Sequence, residues 1–148
     1  MELQAQFLHY FDLPLQQLRR ELDAYHEEGD LWIVTPGIVN SGGNLIVHLL
    51  GNLNHYIGHY LGNTGYLRQR PREFSVTGVP REHLRAEIAA TQQMLATVLP
   101  SLTDLDRPYP SAEASKQGSV RFILFQLLNH LNYHLGQVNY HRRLLARS

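Results

Sequence analysis

The chain has 148 residues, enough for one domain that buries about two-thirds of its unfolded surface. Thirteen basic residues balance thirteen acidic ones, so no global field favours nucleic acid or an anionic membrane. Cysteine is absent, which excludes disulfides, thiolate metal ligands and a cysteine nucleophile, and suits a cytoplasmic protein.

The first residues, MELQAQFLHYFDLPLQ, lack the charged and then apolar regions of a signal peptide. No apolar run approaches the roughly 20 residues needed to cross a bilayer. In chain order, a first helix is predicted over residues 3–28, with Leu8, Phe11, Leu15, Leu18, Leu22 and Tyr25 recurring at helical steps. Pro14 interrupts it, and Asp12 can cap a restart there, so a kink or a split is expected. Residues 31–40 read as a loop, with Trp32 plugging the core beneath it or, alternatively, stacking on a ligand.

Asn40 or Ser41 can cap a second helix over residues 43–61, which Gly62 ends. Residues 63–79 are polar and turn-rich. Their charges Arg68, Arg70, Arg72 and Glu73 read as a solvated loop, with anion binding as the alternative. Pro80 suits the first turn of a third helix, which Pro100 halts after Leu84, Ile88, Leu95, Val98 and Leu99. A long loop over residues 101–118 leads to Ser119, which can cap a fourth helix over residues 120–146. The fold class is all-α: a single-domain four-helix bundle over residues 1–148, of up-and-down or crossover topology.

Nine histidines are the unusual feature of the composition. His130 and His134 are four apart on the fourth helix, so both leave one face about 6 Å apart along the axis. That spacing lets two imidazoles reach one metal ion. Chance alone supplies about half of one such pair in a chain with this many histidines, and His55 and His59 form another. The first pair lies on the border of the apolar stripe of Leu124, Leu127, Leu128, Leu131, Leu135 and Val138. Ligands facing a cleft and half-buried polar residues bonded to neighbouring helices fit that position equally.

On the second helix, His48, His55 and His59 share one line, turned away from the stripe of Ile46, Leu49, Leu50, Leu53, Ile57 and Tyr60. They face either solvent or a polar groove. His48 and His59 are about 16 Å apart along the axis, too far for one site.

The segments NLIVHLLGNLNHYIGHYLGN and NHLNYHLGQVNYHRRLL resemble the DinB-like superfamily. That family pattern pairs one histidine early in the second helix, matching His48, with a His-x-x-x-His on the last, matching His130 and His134. The Gly-Gln and basic residue that often follow match Gly136, Gln137 and Arg142 or Arg143. RQRPREFS, residues 68–75, is similar to a segment of an uncharacterised branch. The resemblance implies a four-helix bundle with a divalent ion, zinc or nickel, on His48, His130 and His134, and a homodimer. Some relatives are transferases or isomerases that use a low-molecular-weight thiol, and many have no known activity. The superfamily takes its name from damage-inducible expression, not from DNA contact. His55, His59 and His141 lie outside the pattern, so a ligand set displaced by a turn is the rival assignment.

Two functional classes follow. One is a metal-dependent enzyme on a small-molecule substrate, a thiol-dependent transferase or a hydrolase. Hydrolysis calls for a general base, and Glu73 is the one candidate carboxylate. The other is a metal- or ligand-binding stress-response protein without turnover. Asn44, Gln126 and Gln137, within one turn of the three histidines, are expected to orient the rings. Tyr56, Tyr60, Tyr133 and Tyr140 are expected at a dimer interface.

Overall fold

The computed structural model describes residues 2–146. Helix α1, Leu3–Ala24, buries Phe7, Phe11, Leu15, Leu18 and Leu22 and runs unbroken through Pro14. The expected kink or split does not occur. Proline removes one intrahelical bond, but Pro14 is itself buried with Phe11, Leu15 and Leu18, and packing on both sides of it holds the helix together. Asp12 caps nothing. It accepts hydrogen bonds from Gln16 Nε2 and Gln92 Nε2, the latter at 2.9 Å, tying α1 to the third long helix. The helix ends at Ala24, and Glu28–Trp32 forms a 3-10 turn. Trp32 packs on the core as expected, its indole lying over Gly43, where a Cβ would come within 2.7 Å of the ring.

Helix α2, Gly42–Leu53, starts at Ser41, whose Oγ accepts the Asn44 N–H at 3.1 Å. It widens into a π segment, Asn54–His59, and closes with the turn Tyr60–Gly62 before Asn63 goes left-handed. A short helix α3, Arg70–Ser75, occupies the middle of the stretch read as loop; Pro71 in its first turn is its one sequence cue. Helix α4 spans Arg81–Ser101 and α5 spans Val120–Leu145, the latter capped by Ser119 Oγ on the Phe122 N–H.

The fold is the expected all-α four-helix bundle, with no strand among the described residues. Helices α1 and α2 each pack on both α4 and α5. Phe7 meets Phe125 while Glu21 meets Asn139 and Arg142, so α1 and α5 run parallel. Asn54 bonds Thr91, and the Gly58 backbone lies against Met94, so α2 and α4 also run parallel. The connection through α3 must therefore cross the length of the bundle, which makes the topology crossover rather than up-and-down. No helix among the described residues is long and apolar enough to cross a membrane.

Candidate metal centre

Every residue of α2 from Gly42 to Leu53 is buried. One side packs into the apolar core, while the side carrying His48 is covered by α3 and α5. Gly42 lies against His141, so α2 and α5 are antiparallel, and counting inward brings His48 level with the pair on α5. The ligand atoms of His48, His130 and His134 all lie within 4.8 Å of one another. His48 is 4% exposed, and the other two are half-buried.

The rings are aimed by their outer nitrogens. Glu73 Oε1 lies 3.0 Å from His48 Nδ1, and Arg68 holds both oxygens of the same carboxylate, each at 2.9 Å. Burial alone would raise Glu73, but the bonds from His48 and Arg68 outweigh it and hold the carboxyl below its usual range. An ionised carboxylate only accepts, so His48 Nδ1 donates to it and Nε2 is the nitrogen left to ligate. Gln137 Oε1 accepts from His134 Nδ1 at 2.6 Å and leaves that ring's Nε2 free in the same way. Burial, then the neighbouring His134 and His48, push His130 down to about 4; burial also lowers His134. These two rings are therefore neutral near pH 7, the state in which imidazole ligates.

The fit to a divalent ion is geometric. His48 Nε2 and His130 Nε2 face each other at 3.1 Å. Two nitrogens on one tetrahedral zinc, at about 2.0–2.1 Å each, stand about 3.3–3.4 Å apart. His130 Nδ1 is buried with no partner, and so is Gln126 Oε1, one turn before it on α5.

The other predicted residues fall as follows. Asn44 makes no hydrogen bond to an imidazole among the described residues. Its amide bonds the Glu73 and Val76 carbonyls, so it fastens α3 to α2 and acts on His48 only through Glu73. Gln126 Nε2 bonds the Ser115 carbonyl rather than His130. Glu73, named as a general base, is turned onto His48 and Arg68 and is 3% exposed. His55 lies 3.7 Å from Glu113 rather than beside the α5 pair, and His59 lines a different depression. Both lie within the π segment Asn54–His59: His55 still lines the same cleft as His48, but seven residues on, about 10 Å further along the axis, it is too distant to share the site. His141 is a structural tie, bonded to Tyr25 Oη at 2.7 Å and to the Ile33 carbonyl at 2.8 Å.

Arg68 and the orienting role of Glu73 are what sequence reasoning missed. Gly51 is the local trace of that role: a Cβ there would overlap the Glu73 carboxylate, so only glycine lets the carboxylate lie against α2. The three histidines open onto a cleft of about 850 Å³ between α2, α3, α5 and the loop before α5. A family model for the DinB superfamily matches residues 3–138, and no curated protein matches the chain. Because that match runs from the first helix through the histidine pair on the last, the chain belongs to the DinB superfamily.

Proposed function

We propose that His48, His130 and His134 hold one divalent ion, zinc or nickel, and that the chain is a metal-dependent enzyme for a small molecule bound in the cleft. The convergence of three imidazoles from two helices on one point carries this reading. An ion bound there supplies Lewis acidity and lowers the pKa of a coordinated water or thiol. Glu73 and Gln137 hold two rings in the ligating tautomer. Burial keeps His130 free of the competing proton down to about pH 4. Thiol transfer is favoured over hydrolysis. Glu73 is committed to His48 and Arg68 and does not line the cleft, and the carboxylate that does, Glu113, accepts from Tyr56 Oη at 2.6 Å. Glu73 is not free to serve as a general base, and Glu113 sits beside Tyr56 and His55 rather than with the three histidines.

Elemental analysis of protein purified without a histidine tag should find close to one zinc or nickel per chain. Occupancy should fall as the pH is lowered and protons compete for the imidazoles, with His130 and His134, both held below the ordinary histidine range, the slower to be lost. The loaded protein should turn over an electrophile with a low-molecular-weight thiol in preference to ester and amide panels. Metal-free protein after mild purification and reconstitution would sink the metal reading. Bound metal without turnover in any panel would leave a metal-binding stress protein.

The same reading includes a homodimer. Tyr133 and Tyr140, 66% and 65% exposed, offer the amphipathic surface that interfaces favour. Tyr56 and Tyr60 are withdrawn from that role, since Tyr56 is buried and Tyr60 packs against the core. Sedimentation at roughly tens of micromolar should give twice the chain mass, and a monomer there would remove the dimer.

A further inference from the structure

The cleft runs on past the histidines. Along α2, Asn52 follows His48 by one turn and Tyr56 by two, so it extends about 6–12 Å beyond the metal-binding end. Lys116, in the 3-10 turn Ala114–Lys116, lines this far end and is 9% exposed. Its Nζ sits 4.5 Å above the Tyr56 ring centroid, and among the described residues its one hydrogen bond is a long contact of 3.5 Å to Ser115 Oγ. No carboxylate lies within 4.0 Å of it among the described residues. Glu113, three residues away, is bonded instead to Tyr56 and lies near His55. A buried ammonium so poorly satisfied is costly unless something else meets it.

Two further observations point the same way. Asn52 is 6% exposed and lines the cleft, yet its Oδ1 is buried with no hydrogen bond. Arg70, at the rim, stacks on Phe74 at 5.2 Å and has no ion pair among the described residues. Arg68 is already neutralised by Glu73, so Arg70 and Lys116 stand against Glu113 alone. Apart from the paired Arg68, the cleft lining therefore carries two cations against one carboxylate, in a chain of zero net charge.

Resting on the metal-site reading above, we infer that the substrate carries an anionic group, a carboxylate or phosphate, held by Lys116. It also carries an N–H or O–H donor, between the anion and the reacting end, which Asn52 Oδ1 accepts. The order along α2 sets the order along the molecule: reacting end at His48, donor at Asn52, anion at Lys116. A charge-assisted hydrogen bond at a buried ammonium separates charged from neutral ligands by about tenfold or more.

The experiment uses calorimetry on the full chain. Zinc-loaded protein is titrated with N-(3-mercaptopropionyl)glycine, its neutral methylamide, and the sarcosine analogue that lacks the amide N–H. The glycine conjugate should bind about tenfold tighter than the methylamide. Lys116→Ala should erase that difference while zinc affinity is unchanged, and Lys116→Arg should keep it. Asn52→Ala should erase the difference between the glycine and sarcosine conjugates. In a second arm, glutarate and inorganic phosphate are titrated into metal-free protein. Whichever binds identifies the anion, and Lys116→Ala should weaken it several-fold. A preference that survives Lys116→Ala, or no Lys116-dependent anion binding in the metal-free arm, overturns the inference. If zinc fails to bind, the metal reading falls, and the metal-free arm still decides this one.

Discussion

His48→Ala should abolish stoichiometric metal binding, whereas His55→Ala and His59→Ala should leave it intact. Ligand atoms of His48, His130 and His134 lie within 4.8 Å, and neither of the other two histidines joins that group. Losing one of three donors should cost more than the roughly 10–100-fold that losing a supporting partner costs. The loss should also appear as stability. At a hundredfold excess over its dissociation constant, metal adds about 2.7 kcal/mol to a protein that binds it only when folded. Thermal denaturation with and without zinc should show that increment in the parent, in His55→Ala and in His59→Ala, but not in His48→Ala. Undiminished zinc binding by His48→Ala, or its loss in His59→Ala, would place the site elsewhere.

Gly51→Ala should be nearly as damaging, although Gly51 touches no histidine. The added methyl would occupy the place of the Glu73 carboxylate, which Arg68 and His48 pin from the other side. A free glutamate would swing aside at little cost. This one must release a buried arginine and the imidazole proton, and breaking a buried pair of this kind costs about 3–5 kcal/mol. His48 would then lose its fixed tautomer, and zinc affinity should drop roughly 10–100-fold. The check is a double-mutant cycle with Glu73→Ala. If the methyl acts through the carboxylate, Gly51→Ala should cost little once Glu73 is gone. Equal costs in both backgrounds would assign the effect to ordinary crowding of the helix.

Much of this architecture was legible in local patterns. Ser41 and Ser119 cap α2 and α5 as their positions ahead of apolar periodic runs require. The stripe from Leu84 to Leu99 on α4 is buried as read. Patterns misled where a local signal had a non-local remedy. Pro14 signals a break, but one lost bond is tolerable when Pro14 and the stripe on both sides are buried in the same core. Arg68 to Glu73 looks like a solvated charge cluster, yet Glu73 is buried because Arg68 and His48 neutralise it there.

The sequence by itself determined the four long helices and the pairing of His130 with His134, because both depend on steps of three and four residues within one element. Tertiary structure decided which way the histidines of α2 face. A hydrophobic stripe reports direction only for a helix with a solvent side, and α2 has none from Gly42 to Leu53. Its polar face is covered by α5 and by a helix of six residues that periodicity is too short to reveal. The choice of His48 over His55 and His59, the carboxylate behind it and the lysine across the cleft all follow from packing between elements distant in sequence. No spacing within a single helix encodes them.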